Sequence, residues 1–311
     1  MRIVRGFRRI PLLQQGCVAT IGNFDGVHCG HQLIIGQVRE AAKNMRLPSA
    51  VIVFEPQPRE YFEKAAAPPR IMPLREKLSA LCCEEVDVVC CIPFNDRFRC
   101  LTGAEFIETV LLNALQVRHL VIGDDFRFGC DRSGDFQMLR RVGAVGGFTV
   151  EQTHSLEQEG ERVSSTGIRA CLEAGNFSAA ERFLGRPFRL SGRVVHGQKL
   201  GRTIGVPTAN IELRHKPPLN GVYVVRVSLP DGKEVNGVAN VGKRPTVNGE
   251  SLRLEIHLLD FQGDLYGQRL TVYFCLKLRD EQKFEGIEAL QAQLARDIAL
   301  AKQTIASPSV P

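Results

Sequence analysis

The stretch CVATIGNFDGVHCGHQLIIGQVREAAKNM, residues 17–45, decides the fold of the first half of this chain. It opens with a short apolar run typical of a buried strand, passes through a loop containing glycines, and continues with apolar residues at helical spacing. A strand that leads through such a loop into a helix is the opening unit of an open α/β sheet. In such sheets, ligands bind at the carboxyl ends of the strands.

Beyond this stretch, strand-like and helical runs keep alternating through the first half. The runs are AVIVF (50–54), LREKLSALCC (74–83), VDVVCCI (86–92), FIETVLLNAL (106–115) and VRHLVIG (117–123). Thr102 and Glu105 have the spacing of a capping box just ahead of the fourth run. The alternation predicts a doubly wound α/β domain with a parallel sheet.

The second half has a different pattern, in which strand-like runs are separated by turn residues. The runs are RLSGRVV (189–195), GVYVVRVSL (221–229), EVNGVANV (234–241), RLEIHLLDF (253–261) and RLTVYFCLKL (269–278). They predict a small antiparallel β-barrel. A C-terminal helix should close it, since Ile287 to Ile305 has helical periodicity and no Gly or Pro. We expect two domains, 1–184 and 185–311, with a frayed tail at 307–311.

Composition argues against several classes of protein. The net charge of +6 suits an enzyme that acts on polyanions, and it also fits weak nonspecific affinity for nucleic acid. There is no apolar run long enough to span a bilayer and no interleaved basic and aromatic pattern, so neither a membrane nor nucleic acid is an expected partner. The ten cysteines contain no CxxC pair, which favours reduced thiols over a disulfide or zinc scaffold. We expect a cytoplasmic protein, either a monomer or a weak homo-oligomer.

The loop from Gly22 to His31 is the first candidate site. Its glycines would let the backbone approach an anion, and a helix N-terminus attracts phosphate. His28 and His31 lie three residues apart in the first helical turn, so both could donate hydrogen bonds to a triphosphate. No GKS or GKT follows, which favours nucleotidyl transfer over Walker-type phosphoryl transfer. The alternative is a tight turn with incidental histidines.

The second candidate site lies in the β-rich half. Thr208 and Asn210 follow the glycines Gly201 and Gly205 and carry oxygen ligands suited to Mg²⁺ beside nucleotide phosphates. Glu255 could act as a general base. Read alone, the glycine segment is better explained as a barrel turn, and Glu255 as the outward residue of an alternating strand. The run at 237–243 has glycines and a lysine like a Walker A motif, but Arg244 and Pro245 replace its Ser/Thr and helix start.

These motifs resemble those of a known enzyme family. GNFDGVHCGH (22–31) resembles the HxGH signature of nucleotidyltransferases, and in its longer form the FMN adenylyltransferase module of bacterial bifunctional riboflavin kinase/FAD synthetases. GRTIGVPTANI (201–211) and LEIHLLDF (254–261) resemble riboflavin kinase motifs. The resemblance covers nearly the whole chain, although Cys29 stands where relatives commonly carry a larger apolar residue. It implies a Rossmann-like nucleotidyltransferase domain followed by a kinase barrel.

The resemblance also implies roles for individual residues. FEPQP (54–58), GDDFRFG (123–129) and RVSSTGIR (162–169) resemble further family segments. In the adenylyltransferase, ATP would contact Gly22, Asn23, Phe24, Asp25, His28, His31, Asp125, Arg162, Ser165, Thr166 and Arg169, with His28 and His31 catalytic. In the kinase, ATP or flavin would contact Gly201, Gly205, Pro207, Thr208, Asn210 and Arg279. Glu255 would be the catalytic base, and Thr208 and Asn210 would hold Mg²⁺.

The resulting expectation is one enzyme with two activities and with riboflavin, FMN and ATP as its substrates. A different nucleotidyltransferase substrate, such as pantetheine phosphate, is the nearest enzyme alternative for the first half. A flavin-binding sensor without turnover is an alternative from another class. A third alternative is that only one half is active.

Overall fold

The computed structural model describes residues 1–7, 13–197, 201, 205–246 and 249–306. Residues 202–204 of the kinase-like motif and the expected frayed tail at 307–311 therefore lie outside the described residues. The chain forms two compact units. The α/β unit comprises Met1–Pro68 and Met72–Ser165, and the barrel unit comprises Pro69–Ile71 and Thr166–Pro311.

The α/β unit contains a six-stranded parallel sheet in the order β1-β4-β3-β2-β5-β6. Its strands are β1 (Arg2–Arg5), β2 (Cys17–Ile21), β3 (Ser49–Glu55), β4 (Val88–Pro93), β5 (Val117–Gly123) and β6 (Thr149–Thr153). The predicted parallel sheet is confirmed. The sequence did not reveal β1, which extends the sheet beside β4.

Helices cover both faces of this sheet. They are α1 (Cys29–Met45), α2 (Pro58–Glu63), α3 (Leu74–Cys83), α4 (Asp96–Arg99), α5 (Gly103–Phe106) and α6 (Phe136–Gly146). A 3₁₀ turn, Lys64–Ala66, follows α2, and a π-helical segment, Ile107–Ala114, continues α5. Thr102 and Glu105 form the expected capping box at α5. Two short strands, β7 (Glu157–Gln158) and β8 (Glu161–Arg162), make a hairpin after β6.

The sheet core divides according to the alternation of side chains along each strand. Ile52, Cys90 and Ile122 face one side, where Phe106 and Leu111 pack against them. Val51 and Val89 face the other side, where they meet Ile35 of α1 and Leu81 of α3. A sheet buried on both faces explains why the strands read as unbroken apolar runs.

The barrel unit is a closed six-stranded barrel in the order β10-β13-β12-β11-β14-β9, with antiparallel pairing throughout. Its strands are β9 (Arg189–Val195), β10 (Ala209–Glu212), β11 (Gly221–Ser228), β12 (Glu234–Thr246), β13 (Gly249–Leu258) and β14 (Arg269–Arg279). Three helices belong to the unit: α7 (Ser165–Glu173), α8 (Phe177–Leu184) and α9 (Ile287–Ala306).

Helix α9 closes the barrel as expected. Its Ala301, which is fully buried, and Ile298 pack against Val222, Val224 and Val238 on the outer face of β11 and β12. The apolar stripe of the helix therefore covers one side of the barrel wall.

All ten cysteines are free thiols, and they range from buried through partly buried to exposed. Burial, together with the neighbouring Cys91, raises the pKa of Cys90 to about 12. Burial also raises the pKa of Cys17. Cys100 and Cys130 are exposed.

We predict that iodoacetamide at about pH 8 will alkylate Cys100 and Cys130 in the native protein and spare Cys17 and Cys90, because a thiol below its raised pKa carries no thiolate. Mass spectrometry of peptides would measure the labelling, with labelling in guanidinium as the positive control. Equal native rates at Cys90 and Cys100 would contradict the packing described above.

Candidate active sites

The first site lies where the strand order of the α/β unit changes direction. From β2 the chain proceeds to β3 and β4 on one side, then returns to β5 and β6 on the other. Ligands of open α/β sheets bind at such switch points, outside the carboxyl ends of the strands. Because β2 and β5 are adjacent parallel strands, the loops that follow them leave the sheet at the same edge. The predicted segments 22–31 and 123–129 therefore lie at that edge.

His28 is held firmly at the start of α1. It is the N-cap, and its Nδ1 accepts a hydrogen bond from the backbone N–H of His31 at 3.3 Å. The two imidazoles stack, with ring centroids 3.6 Å apart. Because Nδ1 is an acceptor, a neutral His28 carries its proton on Nε2. The structure thus brings the predicted pair together at the start of α1.

The glycines of this loop have local packing roles. A Cβ on Gly30 would lie 3.3 Å from the His28 ring, and one on Gly22 would lie 3.1 Å from the Phe24 ring. Gly26 has a φ of 91°. In the structure these glycines leave room for neighbouring rings or form a left-handed turn, and their expected close approach to an anion stays a prediction.

The backbone of the loop is unusual at two residues with side chains. Phe24 and Val27 have φ values of 47° and 40°, in the left-handed region that bulky and β-branched residues rarely adopt. Both side chains are buried. Burial therefore fixes a loop conformation that local preference disfavours.

Asp25 and Asn23 tie this loop to the rest of the unit. The buried Asp25 carboxylate accepts a hydrogen bond from the backbone N–H of Met72, and its backbone oxygen accepts one from Ser165 Oγ at 2.9 Å. Lys77, which is fully buried, donates from Nζ to the backbone oxygen of Asn23 at 2.6 Å. Sequence reasoning missed Lys77, because a lysine in an amphipathic helix normally faces solvent.

The loop after β5 meets the segment before α7 through ion pairs. Arg162 lies 3.3 Å from Asp124 and 3.5 Å from Asp125. Burial alone would raise the pKa of Asp124, but a hydrogen bond from Ser155 and the charge of Arg162 together hold this pKa below its usual value. The structure therefore brings Asp125 and Arg162, two predicted site residues, into contact. Asp124, which was not predicted, also pairs with Arg162 and is less exposed than Asp125.

Thr166 and Arg169 group with the barrel unit. Thr166 is exposed, and Arg169 Nε donates to the backbone oxygen of Pro69 at 2.7 Å within that unit. Their predicted contacts with ATP phosphates stay predictions.

An aromatic group that the sequence did not indicate lies near the ends of β3 and β4. Phe62 is 59% exposed, and its ring makes edge-to-face contacts with Tyr61 and Phe94. An exposed aromatic ring supported by others offers a stacking surface for a planar ligand.

The second site is a pocket between the outer face of the barrel and α9. Its polar lining includes Thr208, Asn210, Asn240, Glu255, His257 and Arg279. Its apolar lining includes Val222, Val238, Phe284, Leu290, Leu294 and Ile298. Gly201 also lines it, so the pocket unites most of the residues predicted for the kinase. A pocket with one apolar wall and a group of convergent polar side chains is the usual form of a small-molecule site.

Strand register arranges the key side chains in one row. Asn210 of β10 pairs with Glu255 of β13, which pairs with Asn240 of β12. The row continues through Val222 of β11 to Arg279 of β14. Side chains directly opposite one another on adjacent strands lie about 5 Å apart. The row therefore has a polar end, from Asn210 to Asn240, which is followed by the apolar Val222 under α9 and by the charged Arg279 at the far end.

The remaining predicted residues flank the polar end. Asn210 Nδ2 lies 3.3 Å from the backbone oxygen of Thr208 and 3.5 Å from its Oγ1. His257 Nδ1 lies 2.9 Å from the backbone oxygen of Pro207, which fixes the start of β10. Gly205 has a φ of 77°, which suits glycine. Thr208 and Pro207 also line a smaller adjoining pocket with Phe261 and Tyr266.

Arg279 anchors the closing helix. Its Nε and one terminal nitrogen bond both carboxylate oxygens of buried Asp297 in α9, at 2.8–3.1 Å. Gln293 also donates to Asp297. Arg279, which was predicted to contact a ligand, thus lines the pocket and also anchors α9. No sequence signal pointed to Asp297, which lies on a helix and joins Arg279 only through tertiary packing.

The segment that resembled a Walker A motif is part of β12. An extended strand has no nest of backbone N–H groups for phosphate, so its dismissal is confirmed. The same strand contributes Asn240 to the pocket. Tyr223 of β11 points into the core, where its hydroxyl donates to the backbone oxygen of Asn220.

A Rossmann-like unit with a histidine pair at a strand-to-helix junction, followed by a barrel with a carboxylate beside oxygen ligands, defines a two-domain transferase. Two family models match the chain: FAD synthetase over residues 10–167 and riboflavin kinase over residues 184–305. The chain belongs to the bifunctional riboflavin kinase/FMN adenylyltransferase family, and both of its domains are present.

Similar proteins cover almost the full length. A bifunctional riboflavin kinase/FMN adenylyltransferase of Pseudomonas fluorescens is 52% identical over 99% of each chain. That of Haemophilus influenzae is 48% identical over 97% of this chain and 98% of its own. A solved Streptococcus pneumoniae structure named as a macrolide-efflux protein matches with a TM-score of 0.78 and 31% identity, over 97% of this chain and 99% of its own. Among the described residues, no helix has the length and apolar character needed to cross a bilayer.

The packing of His28 leads to a mutational prediction. Gly30→Ala places a methyl group 3.3 Å from an imidazole that is buried and already stacked on His31. We expect conversion of FMN to FAD to fall by roughly 10-fold, since a small misplacement of a positioning group is costly. Chromatography of FAD formed from FMN and ATP would measure it.

Gly36→Ala is the matched control, because it lies on the same helix and a Cβ there meets nothing within 4 Å. It should retain full activity. A Gly30→Ala enzyme as active as the Gly36→Ala enzyme would show that His28 needs no fixed position.

Proposed function

We propose that the barrel unit transfers the γ-phosphoryl group of ATP to riboflavin, giving FMN and ADP, and that the histidine site transfers AMP from a second ATP to FMN, giving FAD and pyrophosphate. The observation that carries the kinase assignment is the single row of Asn210, Glu255 and Asn240 beside an apolar wall. The two separate family matches support having both reactions in one chain.

In the kinase, Glu255 lies between Asn210, at the polar end of the row, and Asn240, which is followed by the apolar Val222. A flavin ring would lie against Val222 and Val238 under α9, and its ribityl chain would extend towards Glu255. The Glu255 carboxylate would accept the proton of the terminal hydroxyl as its oxygen attacks the γ-phosphorus. The new O–P bond forms while the bond from the γ-phosphorus to the bridging oxygen breaks, and ADP leaves.

The residues present fit a divalent cation at the polar end of the row. Asn210 Nδ2 lies 3.5 Å from Thr208 Oγ1, so a half-turn of the carboxamide would place Oδ1 beside that hydroxyl, and the two oxygens would then serve as ligands together. Among the described residues no three His, Cys, Asp or Glu side chains form a metal cluster, so phosphate oxygens would supply most of the remaining ligands. Bound Mg²⁺ would neutralise charge on the phosphates. The adjoining pocket that shares Thr208 offers apolar surface for the nucleoside.

In the adenylyltransferase, a phosphate oxygen of FMN would attack the α-phosphorus of ATP as the bond to pyrophosphate breaks. No covalent enzyme intermediate is required, so the protein's task is to position two anions and stabilise developing charge. The Nε2–H of His28, the His31 ring and the positive end of the α1 helix dipole are suited to this task. Gly22, Asn23, Phe24 and Asp25 form the supporting loop.

The aromatic group around Phe62 gives the flavin ring of FMN a stacking surface in the same unit. Asp125, Arg162, Ser165, Thr166 and Arg169 remain our proposed contacts for ATP phosphates. Arg162 would exchange its present carboxylate partners for phosphate, to which guanidinium groups bind in the same forked geometry.

We retain 1–184 and 185–311 as the functional domains. The family models end at 167 and begin at 184, and residues 166–184 cluster with the barrel unit, so α7 and α8 connect the two activities in sequence. A monomeric or weakly oligomeric cytoplasmic enzyme without a nucleic-acid partner remains our proposal. The ten free thiols support a reducing compartment.

Glu255→Gln tests the kinase assignment while preserving side-chain size. Without a base, FMN formation from riboflavin should fall by roughly 100-fold or more, whereas FAD formation from supplied FMN should persist. Both products would be resolved by chromatography.

The control is Glu212→Gln, an exposed glutamate at the end of β10, outside the pocket lining. It should leave both rates unchanged. Full kinase activity in Glu255→Gln would remove Glu255 from the mechanism. Equal loss of both activities in a folded protein would contradict two independent sites.

A further inference from the structure

Asn240 lines the kinase pocket and is neither the proposed base nor a proposed cation ligand. It lies in β12 directly opposite Glu255 of β13 and opposite Val222 of β11. Its side chain therefore stands between the proposed base and the apolar wall that α9 covers. A ligand that reaches from one to the other must pass Asn240.

The carboxamide of Asn240 is incompletely satisfied. Its Oδ1 is buried and has no hydrogen-bond partner among the residues that the structure describes. Buried polar atoms are nearly always hydrogen-bonded, and leaving one unpaired is costly, so such an exception at a binding site points to a missing ligand atom. An amide oxygen accepts hydrogen bonds, so the missing atom must carry a donor.

The surroundings of Asn240 narrow the class of donor. Glu255 on one side would face the reacting hydroxyl, while Val222 on the other side and Val238 two residues away on β12 would contact a flat apolar ring. The segment between these ends must be a chain that bears hydrogen-bond donors. Unlike phosphate groups, which offer only acceptors, the internal hydroxyls of a polyol chain meet this requirement.

We infer that Asn240 is a positioning and specificity-determining residue of the kinase: its Oδ1 accepts a hydrogen bond from an internal hydroxyl of the ribityl chain. This inference rests on the proposed phosphorylation of riboflavin. The hydrogen bond fixes the polyol chain one strand away from Glu255 and so directs the terminal hydroxyl at the carboxylate. The site thereby selects flavins with a hydroxylated chain over flavins with a plain alkyl chain.

The test compares two substrates. One is riboflavin, and the other is a flavin analogue with an unbranched ω-hydroxypentyl chain, which keeps the terminal hydroxyl and lacks the internal ones. The ratio of their kcat/KM values is measured for the wild-type chain and for Asn240→Leu, which is similar in size but has no acceptor. Since both values come from one preparation, the ratio does not depend on the fraction of folded enzyme.

The wild-type enzyme should prefer riboflavin, and Asn240→Leu should reduce that preference by roughly 10-fold to 100-fold. The loss should fall on riboflavin alone, with the KM for ATP unchanged. Asn240→Ser, which keeps a shorter acceptor, should lie between the two. Asn236→Leu, an exposed asparagine of the same strand outside the pocket lining, should leave the ratio unchanged.

The outcomes separate the two levels of the proposal. If the wild-type chain forms FMN but the ratio is the same in Asn240→Leu, or both substrates lose equally, then Asn240 is only structural and the inference is wrong. If the wild-type chain forms no FMN from riboflavin, the proposed kinase function itself fails, and the inference fails with it.

Discussion

The register between β10, β13 and β12 is the constraint on which the kinase half depends. Side chains alternate between the two faces of a strand, so a slip of one residue would turn Glu255 into the barrel core and bring Ile256 to the pocket. The buried apolar residues that alternate with the row, Leu254 and Ile256, oppose that slip. Packing of the core thus decides where the carboxylate stands.

The same row joins the pocket to its covering helix. Arg279 lies at the far end and binds Asp297 of α9 with both side chains largely buried. Removing one partner of such a pair costs roughly 3–5 kcal/mol, because an unpaired charge is left behind. The helix that would cover a flavin ring is therefore tied to the strand wall by an interaction that is costly to break. In the α/β unit, the burial of Phe24 and Val27 stabilises the strained loop that holds His28 in position.

Much of this architecture follows from local sequence signals. The capping box at Thr102, the turn from β2 into α1 and the closing helix at Ile287 all have patterns that act over a few residues. The kinase residues Thr208, Asn210 and Glu255 came from motif resemblance, and the structure brings them to one pocket. What the sequence could not supply depends on tertiary pairing. Asn240 is an ordinary residue in an alternating strand, Lys77 reads as a surface lysine, and Asp297 meets Arg279 only across the barrel wall.

The most direct measurement is a crystal structure of the full chain with riboflavin, Mg²⁺ and a non-hydrolysable ATP analogue. Our account predicts the flavin ring under α9 and its terminal hydroxyl within about 3 Å of the Glu255 carboxylate, facing the γ-phosphate beside Thr208 and Asn210. A flavin bound with that hydroxyl directed away from Glu255, or with nucleotide phosphates remote from Thr208, would contradict it.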